Sequence, residues 1–145
     1  MDSLPHDKTR NILVVDDEED VCDFLKLFLE SLDWDVTVAT SIHDAFHALK
    51  QREYFLVLTD IAMPEMDGYE FISRIREKNI PSQIVLMTGF GYNPKHTLVK
   101  IKKSMGYPCH FKPFNREKLR QSVEDSFATY HKLKTPSPPE INPES

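Results

Sequence analysis

Four places in this chain carry residues that could do chemistry together: the pair Asp16-Asp17, Asp60, Thr88 and Lys112. Each stands at the end of a short apolar run: Asn11-Ile-Leu-Val-Val15, Phe55-Leu-Val-Leu-Thr59, Gln83-Ile-Val-Leu-Met87 and Cys109-His-Phe111. If those runs are parallel strands, their carboxyl ends share one edge of a sheet, where open α/β folds bind ligands. Three carboxylates, a hydroxyl and an ammonium would then converge. Packed carboxylates resist ionising together unless a cation joins them. Magnesium suits such a set, because it takes one or two carboxylates, keeps waters and binds phosphate oxygens. Lysine adds a point charge for an anion and threonine a hydroxyl to bond it. Such a set describes phosphoryl transfer, where catalysis is mostly positioning and charge neutralisation. A carboxylate can itself be the nucleophile, giving an aspartyl phosphate.

The elements that must position these residues follow from periodicity. A helix after Asp17 places Val21, Phe24, Leu25, Phe28 and Leu32 on one face, and its opening Glu18-Glu19-Asp20 suits the positive end of a helix dipole. Trp34–Ala39 reads as a second strand with Val36 and Val38 on one side, and Ser41 as the cap of a helix carrying Ile42, Ala45, Phe46 and Leu49. Asp67 is expected to cap a helix with Phe71, Ile72 and Ile75 inward, ending before Pro81. Gly89 and Gly91 form a flexible connection to a weakly apolar helix over 93–105 (Leu98, Ile101, Met105), stopped by Gly106. The last helix begins near Asn115, carries Leu119, Val123 and Phe127, and fades after His131. Five strands alternating with five helices predict a doubly wound α/β fold, a parallel sheet covered on both faces.

The quoted residues resemble a response-regulator receiver domain: Asp16-Asp17, Asp60 with Met63-Pro64 and Asp67-Gly68, Thr88-Gly89, and Lys112-Pro113-Phe114. The resemblance covers roughly residues 10 to 131. It implies a flavodoxin-like five-stranded sheet, (βα)5, with strand order 2-1-3-4-5. It also implies that Asp60 accepts a phosphoryl group from a histidine kinase or histidine phosphotransfer protein. Mg²⁺ would be held by Asp17, Asp60 and the backbone carbonyl of Ala62, with Asp16 acting through water. Thr88 and Lys112 would bind phosphoryl oxygens, and the peptide before Pro113 would be cis. One departure stands out. The family usually places an aromatic switch residue where Cys109 stands here. Either Tyr107 substitutes for it, or the output rests on the loop leading to the 93–105 helix. Ala62 and Phe90 sit where the family tunes the lifetime of the phosphorylated form. Neither helps an attacking water, so slow loss of phosphate is expected.

Composition narrows the alternatives. The chain has 145 residues, 40% hydrophobic and 28% charged, as in one ordinary globular domain. The expected organisation is a polar lead over 1–9, a receiver domain over 10–132, and a proline-rich tail or linker over 133–145. No apolar run approaches the roughly 18 residues of a membrane helix, the start lacks a signal peptide's apolar core, and two cysteines make no scaffold. These features point to the cytoplasm, with Cys22 and Cys109 as small buried hydrophobes. Net charge is −5, with eleven acids in residues 1–35 and none between Glu77 and Glu117. The lysines at 95, 100, 102 and 103 lie in that acid-free stretch. An output partner is expected on the face formed by the 93–105 helix, the fifth strand and the last helix, with no direct binding of nucleic acid. The expected state is a monomer or a phosphorylation-linked dimer. His43 and His47 have metal-ligand spacing but lack a third ligand, and read as a solvated helix face. The competing readings are a receiver-like interaction module that is never phosphorylated, and an Asp-nucleophile phosphohydrolase acting on outside substrates. The chain lacks the DxDx[TV] nucleophile motif of haloacid-dehalogenase-type phosphatases at Asp60 and Asp16. In neither the receiver nor the module reading is the chain an enzyme beyond taking up and losing its own phosphoryl group.

Overall fold

The computed structural model describes residues 9–61, 68–89 and 107–134. Strands β1 (Asn11–Val15), β2 (Asp35–Ala39), β3 (Leu56–Asp60), β4 (Gln83–Thr88) and β5 (Cys109–Phe111) form one sheet in the order β2-β1-β3-β4-β5. Every neighbouring pair is parallel. Helices α1 (Glu19–Glu30), α2 (Ile42–Gln51), α3 (Gly68–Glu77) and α4 (Arg116–Lys134) complete the described elements. The expected helix over 93–105, the cap at Asp67, Gly91, and the terminal segments 1–8 and 135–145 lie outside the described residues.

The inner strands β1, β3 and β4 carry unbroken apolar runs, Ile12–Val15, Leu56–Leu58 and Ile84–Met87, because both faces of the sheet are covered there. Alternate residues supply two separate cores. On one face, Leu13, Val15, Val57, Ile84 and Leu86 meet Ile42 and Ala45 of α2 and Phe71, Ile72 and Ile75 of α3. On the other, Ile12, Val14, Leu58, Val85 and Met87 meet Cys22, Leu25 and Leu29 of α1 and Leu119 and Val123 of α4. Ser41 caps α2 as expected, its hydroxyl accepting from Asp44 N at 3.0 Å, and Asn115 Oδ1 likewise accepts from Lys118 N at 2.9 Å ahead of α4. His43 and His47 are exposed, in keeping with a wet helix face. Among the described residues no helix is long and apolar enough to cross a membrane.

Three expectations are corrected. The buried stripe of α1 is Cys22, Leu25 and Leu29, while Phe24 is 39% exposed and Val21, Phe28 and Leu32 are only partly covered. Apolar residues crowd this helix on more than one side, and contact with β2 and α4 selects the face that is buried. Cys109 is half-buried rather than buried, because β5 is the edge strand. Finally, α4 runs to Lys134 instead of fading at His131. Its last turns are tied to the start of the sheet: Tyr130 donates to Glu53, and a ring nitrogen of His131 lies 2.9 Å from the Thr9 carbonyl.

Candidate functional site

The sheet pairing reaches one residue past three of the strands. Asp16 N donates to Ala39 O at 3.1 Å, Ile61 N to Met87 O at 2.9 Å, and Lys112 N to Thr88 O at 2.9 Å. These bonds hold the chain extended until each chemical residue has been placed. Asp60 ends β3, Thr88 ends β4, and Lys112 leaves β5 into a cis peptide with Pro113. The expected convergence is therefore a consequence of register.

Asp16, Asp17 and Asp60 each offer a carboxylate oxygen, and these oxygens lie within 4.8 Å of one another. Asp16 is fully buried and Asp60 is 5% exposed, while Asp17 faces solvent. The Lys112 ammonium sits against them, 2.7 Å from Asp16 Oδ2 and 3.2 Å from Asp60 Oδ2. The Asp16 contact is an ion pair whose angles make no hydrogen bond, so that oxygen keeps lone-pair capacity. Burial raises the Asp16 carboxyl above the ordinary carboxylate range, against the pull of Lys112 and of the Glu18 N–H bonded to Oδ1 at 2.9 Å. Burial also pulls the Lys112 ammonium down, but its close ion pair with Asp16, its hydrogen bond to Glu18 and the charge of Asp60 outweigh that and leave it raised. Thr88 is 1% exposed, and its hydroxyl oxygen finds no hydrogen-bond partner among the described residues. A buried polar atom of this kind calls for a partner. Gly89 beside it leaves room near the amine, since a Cβ there would stand 3.9 Å from Lys112 Nζ.

Two residues belong to the site that sequence reasoning had left out. Glu18 was read only as part of an acidic helix opening, yet its Oε1 accepts from Lys112 Nζ at 3.0 Å. Cys22 was read as a small hydrophobe, yet its thiol donates to the Asp16 carbonyl at 3.3 Å. Burial, then the charge of Asp16, pushes that thiol to about 11, so it stays protonated and can donate. The aromatic expectation also has a location now. Tyr107 packs against the core on the α2 and α3 face, its hydroxyl accepts from Arg76 Nε of α3 at 3.2 Å, and the Arg76 guanidinium lies 5.8 Å from its ring centre. The residue paired with Thr88 in the sheet is instead Phe111, 54% exposed. Ala62 and Phe90 lie outside the described residues.

Gly68 closes the loop that leaves the site. Its N–H donates to the Ile61 carbonyl at 2.9 Å, and a Cβ there would stand 2.7 Å from Ile61 Cα. That neighbour is backbone, so it cannot swing aside. Gly68→Ala is expected to cost about 1–3 kcal/mol as overpacking, read as a lower urea midpoint at an unchanged m-value.

The fold is the flavodoxin-like doubly wound sheet, and its ligand edge carries the acid cluster with its lysine. The family model of the response regulator receiver domain matches residues 12–124, and the chain belongs to that family. It is a receiver domain of two-component response regulators, a class of regulatory switches. The chain is 32% identical over 118 residues to the transcriptional regulatory protein ZraR of Salmonella typhimurium, a match covering 81% of this chain and 26% of that protein. The chain thus spans about a quarter of the length of that relative. It is also 32% identical over 111 residues to the response regulator receiver protein CpdR of Brucella abortus, covering 74% of this chain and 92% of that one. Among solved structures, a response regulator receiver domain protein from Clostridium thermocellum matches with a TM-score of 0.76 at 22% identity, over 85% of this chain and 98% of that one. That likeness speaks for the fold alone. NtrX from Brucella abortus matches at 0.75 with 29% identity, over 86% of this chain and 28% of that one.

Proposed function

We propose that Asp60 is the phosphoacceptor of this receiver, taking a phosphoryl group from a histidine kinase or histidine phosphotransfer protein. The observation that carries this reading is the juxtaposition of the Asp60 carboxylate with Lys112 Nζ at 3.2 Å, at the edge that also carries the buried Thr88 hydroxyl, which has no hydrogen-bond partner among the described residues. An Asp60 oxygen attacks phosphorus, the new O–P bond forms as the P–N bond to the donor imidazole breaks, and the departing nitrogen keeps the bond's electron pair. Lys112 and Thr88 receive the phosphoryl oxygens, and Asp16, held behind them, keeps the ammonium charged. Asp16, Asp17 and Asp60, with the Ala62 carbonyl, are an all-oxygen donor set of the kind Mg²⁺ prefers, and would hold it. When bound, the ion neutralises charge on the transferring group.

The receiver domain is assigned to residues 10–132, between the polar lead and the proline-rich tail, and to the cytoplasm. The new charge beside Thr88 and Lys112 biases the output face of the 93–105 segment, β5 and α4 toward a partner or downstream domain. Incubation with acetyl phosphate and Mg²⁺, read by intact mass, tests this. The wild-type chain is expected to gain the mass of one phosphoryl group and Asp60→Asn none. A wild-type chain that stays unmodified would return the protein to the class of phosphorylation-independent interaction modules.

A further inference from the structure

An ammonium group has three N–H bonds to give, and here three carboxylates surround that of Lys112. Asp16 Oδ2 lies at 2.7 Å, Glu18 Oε1 at 3.0 Å and Asp60 Oδ2 at 3.2 Å. The three partners differ in their hold. The Asp16 side chain is 0% exposed and anchored through its other oxygen to Glu18 N, and that of Asp60 is 7% exposed at the end of a central strand. The Glu18 side chain is 63% exposed, at the mouth of the site. Two of the ammonium's N–H bonds go to Glu18 and Asp60, and Asp16 Oδ2 crowds the amine as an ion pair without a hydrogen bond. A phosphoryl oxygen arriving at Asp60 therefore meets an ammonium ringed by three anions, and one of these contacts has to loosen to admit a fourth. Asp16 has no solvent to turn to. Glu18 does, because water replaces the lysine as soon as its carboxylate swings out. Its charge also opposes the approach of any anionic donor to Asp60.

We infer that Glu18 is a positioning residue for phosphoryl uptake: it holds the Lys112 amine in a resting contact and must release it before Asp60 can be phosphorylated. The inference rests on Asp60 being the phosphoacceptor. Glu18 acts through Lys112 and not on the reacting atoms, and its release is the reversible exchange of one ion contact for water.

The test uses the full chain with acetyl phosphate and saturating Mg²⁺, following uptake by intact mass at low and high ionic strength. Glu18→Gln keeps the shape and removes the charge, while Glu19→Gln removes a charge one residue along. Glu18→Gln is expected to take up phosphate about three- to tenfold faster at low salt, the scale of one unit charge acting across a half-exposed site. The gain should shrink as salt screens it. Glu19→Gln is expected to stay within about twofold of wild type. Neither variant should shift the urea midpoint appreciably, and the Lys112 amine ¹⁵N resonance should move only in Glu18→Gln. Equal rates for wild type and Glu18→Gln, or the same acceleration in Glu19→Gln, would overturn the inference while leaving Asp60 as the acceptor. A wild-type chain that never gains mass would overturn both.

Discussion

Replacing Lys112 by methionine is expected to destabilise the metal-free protein by about 3 kcal/mol at neutral pH, with a loss that shrinks on acidification. Methionine has nearly the same length, so the change is in charge rather than volume. It leaves Asp16, fully buried, and Asp60, nearly so, facing each other without their cation. Breaking a buried pair by removing one partner typically costs about 3–5 kcal/mol. The lower end applies because Asp16, already raised by burial, can take up a proton instead of bearing an unpaired charge. The sign of the pH effect follows from linkage. A carboxyl whose folded pKa is raised binds its proton sooner in the folded chain than in the unfolded one. Stability is therefore gained as pH falls from that raised value toward 3.8, the ordinary value. Removing Lys112 raises the carboxyl further and widens that window, so the gap to wild type narrows between pH 7 and pH 5. In wild type the raised ammonium gives the opposite limb: its contribution is complete below about 10.5 and is lost as pH climbs through the folded value. Urea titrations in the presence of a chelator at pH 7 and pH 5 measure this. A deficit equal at both values would show that packing, not charge, is at stake. Saturating Mg²⁺ is expected to return part of the stability at pH 7, because a ligand bound only by the folded state stabilises it.

Phe55→Ala is expected to cost about 3–5 kcal/mol, the range for emptying a buried aromatic site. Phe55 is 0% exposed and precedes β3. Its ring centre lies 5.1 Å from those of both Trp34 and Phe127. It thus joins the turn after α1, the entry to the Asp60 strand and the far half of α4. The two neighbouring rings belong to different segments and cannot both close over the gap, so the cavity term stays large. Trp34 is the only tryptophan in the chain, 7% exposed, with the Arg10 guanidinium 4.2 Å over its ring. Its fluorescence during urea unfolding reports the loss directly. A fall in midpoint worth less than about 1 kcal/mol would mean that these aromatic contacts are largely remade around alanine.

The two variants probe opposite edges of the sheet, Phe55 just before β3 and Lys112 just after β5, and they show which features were readable beforehand. Runs such as Ile12–Val15 and Ile84–Met87 are apolar at every position, which only strands covered on both faces require. Strand and helix alternate, so the strands run parallel and Asp16, Asp60, Thr88 and Lys112 come to one edge without any further information. The cap at Ser41 was likewise local, since it bonds an N–H three residues on.

Other features had no local signal. Which face of α1 is buried depended on β2 and α4, because Phe24 and Leu29 are equally apolar as letters and only one meets a neighbour. Tyr107 could be numbered relative to Lys112, but its bond to Arg76 comes from a helix 31 residues away. Glu18 is the clearest case. It is one acid among several at a helix opening, and its partner lies 94 residues along the chain. Periodicity and capping are set by neighbours within a few residues, so the sequence alone determined the elements and the edge they share. Contacts between elements depend on how the elements dock, so only the tertiary structure decided which side chains surround the Lys112 amine.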